Sequence, residues 1–391
     1  MEIAYWLQDV LQHVRVSRQR KNLRQPNRGF DYSQDRAEMR RVVDGLHPRR
    51  MRLRVTEITQ ATATAKTFRC LPAAGPLPPF RAGQYINVFA TVGGVSTSRP
   101  YSIASAPGAE YLELTVRDKQ GGFVAPFLLT QVKVGDELET TGPAGSFYHE
   151  PLIDGGDLVL LAGGSGITPF MSIIRDITGR DLPIDVHLLY GSRLQDDVIY
   201  GDELIRLAGS HPRFRCTVVI SEPPEGVQNA RFATGLLDAS LIRQQVGDVT
   251  GKTFYVCGPG VMYDFCLCAL DELGVPRHRV RREVYGPPAD VTQEPGWPDG
   301  LAAGTAFRVE VEGGEAISAT AGEPLMNTLE RHAIVLPAVC RSGACSACRT
   351  RLVSGQVFMP AHTALREADR WGGYIHPCVS YPISDLKISL P

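Results

Sequence analysis

The chain has 391 residues and 43% apolar content, ample for the cores of two to four domains at roughly 150 residues each. A formal net charge of −1 excludes a global field that would draw nucleic acid. No apolar run nears the ~18 residues of a membrane span, and no signal peptide is visible. The nine cysteines form no disulfide framework, so a cytoplasmic, reducing location is expected.

Residues 1–48 stand apart. Ile3, Trp6, Leu7, Val10, Leu11 and Val14 recur at helical spacing, which predicts an amphipathic helix. Arg15, Arg18, Arg20, Lys21, Arg24 and Arg28 follow. Packing on a neighbouring domain or subunit is favoured over a membrane-surface helix or a docking element, because amphipathicity normally means burial. Glu2 and Asp9 argue against a transit peptide.

From residue 49 the pattern turns to short strands, expected at 51–56, 84–90, 99–104, 111–116 and 137–140, with Gly, Pro and Asp between them. That spacing predicts a small antiparallel barrel over 49–152. Arg99 and Tyr101 alternate along one strand and share a face, with Ser102 next to them. A cation can hold a flavin pyrophosphate, a flat ring can stack on an isoalloxazine, and a hydroxyl can bond a ring nitrogen. Gly121-Gly122-Phe123 precedes an expected helix at 123–129, whose free N–H groups suit phosphate.

From about residue 153 to 288, apolar strands expected at 158–162, 186–190, 216–220 and 253–256 alternate with helical segments, which predicts a parallel α/β domain. The first strand runs into Gly163-Gly164-Ser165-Gly166-Ile167-Thr168-Pro169, a strand-to-helix turn whose glycines let backbone approach a pyrophosphate. It is not GxGxxG. A second turn, Cys257-Gly258-Pro259-Gly260, is expected after the last strand of the sheet. Ser192 and Arg193 end the second strand and suit a 2′-phosphate, which favours NADPH over NADH. Asp196 and Asp197 follow and would repel it.

Residues 289–304, within a Pro/Gly-rich stretch from Gly286, read as a linker to a third module at 305–391. There Cys340, Cys345 and Cys348 follow the C-x4-C-x2-C spacing, and Cys378 comes after 29 more residues. This is the plant-type pattern for a 2Fe–2S cluster, whose irons take thiolate ligands. Zinc sites present paired C-x2-C knuckles or His partners instead. His376 stands alone and is read as structural.

The segments Phe80-Arg81-Ala82-Gly83-Gln84-Tyr85, Arg99-Pro100-Tyr101-Ser102 and Gly121-Gly122-Phe123, in this order, resemble the ferredoxin–NADP reductase superfamily. The glycine-rich turn, the Cys-Gly-Pro turn and Glu283-Val284-Tyr285 extend the likeness through residue 286, and the cysteines complete it. The module order is that of three-domain reductases of multicomponent oxygenases: flavin barrel, α/β nucleotide domain, then an α+β (β-grasp) ferredoxin domain. The resemblance implies that Arg99, Tyr101, Ser102, Gly121 and Gly122 contact FAD, favoured over FMN because the pyrophosphate-binding pieces are complete. It also implies that Gly164, Gly166, Thr168, Pro169, Ser192, Arg193, Cys257, Gly258 and Pro259 serve the nicotinamide nucleotide. Ser102, Cys257 and Tyr285 are then the catalytic candidates nearest the reacting rings, and Cys340, Cys345, Cys348 and Cys378 ligate the cluster. The implied reaction takes hydride from NAD(P)H to the flavin and passes electrons singly through the cluster to a partner oxygenase, hydroxylase or desaturase. A different metalloprotein or methyltransferase system as acceptor, and a non-catalytic redox-sensing adaptor, remain open alternatives.

Overall fold

The computed structural model describes Val14, Pro48 and residues 50–118, 122–223, 232–288, 290–361 and 363–391. Two compact units divide the chain, Met1–Pro48 and Arg49–Pro391. Val14 is helical, and the rest of the expected N-terminal amphipathic helix lies outside the described residues. Among the described residues no helix is long and apolar enough to cross a membrane. All four sheets belong to the second unit.

Its first module is an antiparallel sheet of six strands: β1 (Met51–Thr62), β2 (Ala65–Pro72), β3 (Tyr85–Val92), β4 (Val95–Ser102), β5 (Leu112–Arg117) and β6 (Glu137–Thr140), in the order β4-β3-β6-β1-β2-β5. The bridge Ile103–Leu114 and the Ala104 N–H to Glu113 carbonyl bond (2.8 Å) return the end of β4 to β5 and close the barrel. Leu53, Val55, Phe68, Ile86, Val88 and Leu112 fill it, and helix α1 (Val124–Gln131) adds Val124 and Leu128. Strand β2 was not expected. It pairs with β1 through a turn at Ala63-Thr64 that carries no Gly or Asn, so the ordinary hairpin signal is missing.

The second module is a six-stranded parallel sheet: β7 (Asp157–Gly163), β8 (Asp185–Ser192), β9 (Phe214–Ile220), β10 (Phe232–Thr234), β11 (Thr253–Cys257) and β12 (Val280–Glu283). Their order is β10-β9-β8-β7-β11-β12. Helices α2 (Ile167–Gly179) and α3 (Gly201–Ser210) cover one face, and α4 (Ala239–Val246) and α5 (Gly260–Glu272) cover the other. Strand β7 therefore buries Leu158, Leu160 and Ala162 on one side and Val159 and Leu161 on the other. This two-sided burial is why the strand reads as a continuous apolar run. Cys257 ends β11, which is not the last strand: β12 follows as an edge, and its Val-Arg-Arg-Glu gives no apolar signal.

The third module is a mixed sheet of β13 (Ala306–Val311), β14 (Ala316–Thr320), β15 (Thr350–Ser354), β17 (Tyr374–Ile375) and β19 (Leu386–Ser389), ordered β14-β13-β19-β15-β17. A small ribbon pairs β16 (Val357–Phe358) with β18 (Tyr381–Pro382). Helix α6 (Leu325–Arg331) packs Leu325, Met326 and Leu329 into the core beside Val309, Ile375 and Val379. The segment expected as a linker is itself folded against this module. Val291 is buried, and the Trp297 ring stands edge-on to Phe358 at 5.2 Å.

The first two modules are clamped by charge. Arg175 on α2 donates to Glu113 of β5 (2.6 Å), to the Ala104 carbonyl (2.9 Å) and, through two nitrogens, to Glu203 of α3 (2.9 and 2.7 Å). Tyr200 completes the cluster by donating to Glu113 at 3.1 Å. Removing one member of a buried ionic group leaves uncompensated charge and costs about 3–5 kcal/mol, whereas replacing the whole group costs far less. Arg175→Met is expected to lower the urea midpoint strongly, and adding Glu113→Gln and Glu203→Gln to it should recover part of the loss. A midpoint unchanged by Arg175→Met would contradict the clamp.

Candidate functional site

The topology puts two turns together. Strand β7 has β8 on one side and β11 on the other, so the chain reverses its winding direction there, and ligands of open α/β sheets bind at such a switch point. The turn after β7 begins with Gly163–Gly166, and the turn after β11 is Cys257-Gly258-Pro259. They touch: a Cβ on Gly166 would overlap the Cys257 carbonyl and lie 2.7 Å from the Gly258 Cα. Gly164 adopts φ +52°, the left-handed region that glycine enters without strain. Its carbonyl accepts from Tyr190 OH at 2.9 Å. Helix α2 starts at this turn with no side-chain cap, which leaves N–H groups free for an anion.

The flavin barrel delivers Ser102 to the same place. Along β4, Thr97, Arg99 and Tyr101 lie on one face and Ser102 on the other. Ser102 Oγ and Tyr285 OH are 2.8 Å apart, and Tyr285 packs against the core that contains Cys257. Ser102, Cys257 and Tyr285 thus meet at the seam between barrel and nucleotide sheet. Burial raises the Cys257 thiol well above its ordinary range, so it is a neutral, weakly polar contact there. Glu283 stands at the same seam, and burial, with the Cys340 charge, pushes its carboxyl up to about 8.

Arg99 Nη1 donates to Thr97 Oγ1 (2.6 Å) and to the Ser98 carbonyl (2.8 Å). Burial and the neighbouring Arg341 lower its pKa to about 10, so it is a cation short of counter-charge. That suits a pyrophosphate. Gly122 leads into α1, whose N-terminus also lacks a side-chain cap. Gly121 lies outside the described residues.

Several expected nucleotide contacts are arranged differently. Thr168 is buried and spends its hydroxyl on the Ser165 carbonyl (3.0 Å), and Pro169 is buried in α2. Both shape the turn from beneath it. Ser192 is buried and donates to the Leu194 carbonyl (2.8 Å), so its hydroxyl is not free for a 2′-phosphate. Arg193 is exposed and stands 3.8 Å from Glu222. The two residues do not converge, so Ser192 adds nothing to a preference for NADPH. Asp197 is neutralised by Arg117 and by the Thr62 and Thr64 hydroxyls (3.0 and 2.7 Å), so its expected repulsion of phosphate falls away. Arg117 also crowds Gly164 and was missed, since only the fold joins the end of β5 to that turn.

The four cysteines of the third module stand as two pairs. Cys340 and Cys345 hydrogen-bond each other, and Cys348 Sγ lies 3.5 Å from Cys378 Sγ. Among the described residues no three candidate ligands converge on one point, as a single tetrahedral zinc would need. Two pairs of thiols suit two irons. Arg341 and Ser346 take left-handed φ of 54° and 57°, which turns successive N–H groups of the loop inward. Ser342, Ala344 and Cys345 N–H groups reach Cys340 Sγ at 3.3–3.4 Å. The bond from Cys345 leads in pulling the Cys340 thiol below its ordinary range; burial opposes it and the Ser342 N–H adds to it. A thiolate is what iron binds. His376 Nδ1 donates to the Gly343 carbonyl (3.0 Å) and so braces the loop.

Gly166→Ala tests the paired turns. The added methyl must part Gly166 from Cys257, so the KM for the nicotinamide nucleotide should rise about tenfold or more with flavin content and cluster absorbance unchanged. An unaltered KM would place the nucleotide elsewhere.

Comparison with known proteins assigns all three modules. Residues 53–149 match the oxidoreductase FAD-binding domain, 160–267 the oxidoreductase NAD-binding domain and 309–382 the 2Fe-2S iron-sulfur cluster binding domain. The NADH oxidoreductase HCR of Escherichia coli is 30% identical over 86% of this chain and 97% of its own length. The glycine betaine monooxygenase reductase subunit of Chromohalobacter salexigens is 28% identical over 87% and 95%. Phthalate dioxygenase reductase, at 23% identity, superposes with a TM-score of 0.62 over 87% of this chain and 97% of its own, and so shares the fold. With its flavin barrel, parallel nucleotide sheet and cysteine-rich module in that order, the chain belongs to the three-domain ferredoxin–NADP reductase-type oxidoreductases, which carry FAD and a 2Fe–2S cluster and draw electrons from NAD(P)H.

Proposed function

We propose that this reductase delivers its electrons to a separate oxygenase, the class of acceptor named for the glycine betaine relative. The supporting observation is the meeting of Ser102, Tyr285 and Cys257 at one seam, with the cluster loop joined to the same flavin strand where Thr97 bonds Glu330 and Arg341. When bound, the cofactors accept hydride from the nicotinamide at the flavin and release electrons one at a time through the cluster.

This chain's residues supply place and field. Arg99 and the α1 N-terminus beyond Gly122 would hold the FAD pyrophosphate, the Tyr101 ring would contact the flavin, and the Ser102 hydroxyl would hydrogen-bond it. Gly164, Gly166, Gly258 and Pro259 form the floor for the nicotinamide nucleotide, with Thr168 and Pro169 fixing its curvature. Arg193 is left as the described group that bears on the choice between NADH and NADPH. Cys257 and Tyr285 exclude water from the space where the two rings meet. Burying that space removes competing proton and oxygen chemistry. Cys340, Cys345, Cys348 and Cys378 would ligate the two irons of the cluster.

The module boundaries read in sequence, 49–152, 153–288 and 305–391, serve this division of labour.

Two acceptors test the route. Cys345→Ser should reduce ferricyanide from NAD(P)H at the wild-type rate but lose all but about a tenth of its rate with cytochrome c, a one-electron protein acceptor. Immobilised wild-type protein should retain an oxygenase that turns over with NAD(P)H and O2. Retention of a different metalloprotein, with electrons flowing to it, would replace the oxygenase in this reading.

A further inference from the structure

One hydroxyl joins the flavin barrel to the cluster loop. Thr97 lies on β4, two residues before Arg99 and four before Tyr101, and is buried at 4% exposure. Its Oγ1 accepts from Arg99 Nη1 at 2.6 Å and from Arg341 Nη2 at 3.0 Å. It also lies 3.0 and 3.1 Å from the two Glu330 oxygens, to which it donates. A threonine hydroxyl has one hydrogen to give and two lone pairs to fill, so all of its capacity is used. Arg341 follows the cluster ligand Cys340, and Glu330 sits on α6.

Glu330 and Arg341 pair within the third module and need nothing from the barrel to neutralise each other. Both are nearly fully buried, at 4% and 5% exposure. Docking against β4 strips water from the pair, and Thr97 replaces it. A valine there has the same shape and nothing to donate, so Glu330 loses a donor in the docked arrangement only, while Arg99 keeps its bond to the Ser98 carbonyl in either. Undocked, water would satisfy the carboxylate.

We propose that Thr97 is a positioning residue for flavin-to-cluster electron transfer: its hydroxyl fastens the strand carrying Arg99 and Tyr101 to the cluster loop through Glu330 and Arg341. Arg99 stands 4.0 Å from Glu330, so two guanidiniums share one carboxylate. The charge in excess is what a bound pyrophosphate neutralises. The proposal rests on the reading that Arg99 and Tyr101 hold the flavin and that Cys340 ligates the cluster.

The test follows the flavin and cluster bands of the FAD- and cluster-loaded protein after rapid anaerobic mixing with NADH. Thr97→Val should reduce its flavin within about twofold of wild type and its cluster about tenfold or more slowly. Thr97→Ser should restore the second step. Amide exchange, which reports packing rather than turnover, should rise in β4 and in residues 340–348 for Thr97→Val and stay at the wild-type level for Thr97→Ser. Equal cluster rates in wild type and Thr97→Val would overturn the proposal. So would a serine variant as slow as the valine one, or a flavin step slowed in parallel. A wild-type cluster that never receives electrons from reduced flavin would instead remove the electron path on which the proposal rests.

Discussion

The hydrogen bond between Ser102 Oγ and Tyr285 OH, at 2.8 Å, ties the flavin barrel to the segment that leaves the nucleotide sheet. Hydride transfer needs two rings held face to face with water excluded, and electron transfer needs the next acceptor close by. Both demands fall on this seam. Tyr285 reaches it because β12 runs parallel to β11 and carries the chain back beside Cys257. Ser102 reaches it as the last residue of β4, on the face opposite Arg99 and Tyr101. One strand thus offers a cation and a ring on one side and a hydroxyl on the other.

Charge holds the modules in this relation. Arg175, Glu113 and Glu203 clamp barrel to nucleotide sheet, and Thr97, Glu330 and Arg341 clamp barrel to cluster loop. Buried ionic groups give little net stability but penalise any arrangement that leaves a member unpaired. They therefore suit interfaces whose geometry must be specific. The apolar cores supply the cohesion. Ala65, Ala104 and Phe147 of the first module share a core with the α2 face of the second, so the barrel and the nucleotide sheet are continuous in packing.

The module order, the parallel and antiparallel sheets and the cysteine loop were legible because each rests on local pattern. Strand β7 shows its two-sided burial as an unbroken apolar run, and three cysteines fall within one loop of nine residues, Cys340 to Cys348. Strand β2 was hidden by a hairpin without glycine, and β12 by its arginines. Long-range relations left no trace in sequence. Thr97 and Glu330 are 233 positions apart, and Arg117 meets Asp197 only because β5 ends beside the turn that follows β8. Ser192 misled for a related reason: residue type suited a phosphate, while backbone direction turned the hydroxyl inward to Leu194.

The central claim is a single ordered path from nicotinamide through the seam to the cysteine loop. Rapid-scanning absorbance during one anaerobic turnover with NADH, and then with NADPH, tests it most directly. The account predicts that the flavin band falls first and the cluster band second, with the second step independent of nucleotide concentration. A cluster that bleaches before or without the flavin would contradict it. So would a flavin that stays reduced while the cluster remains oxidised.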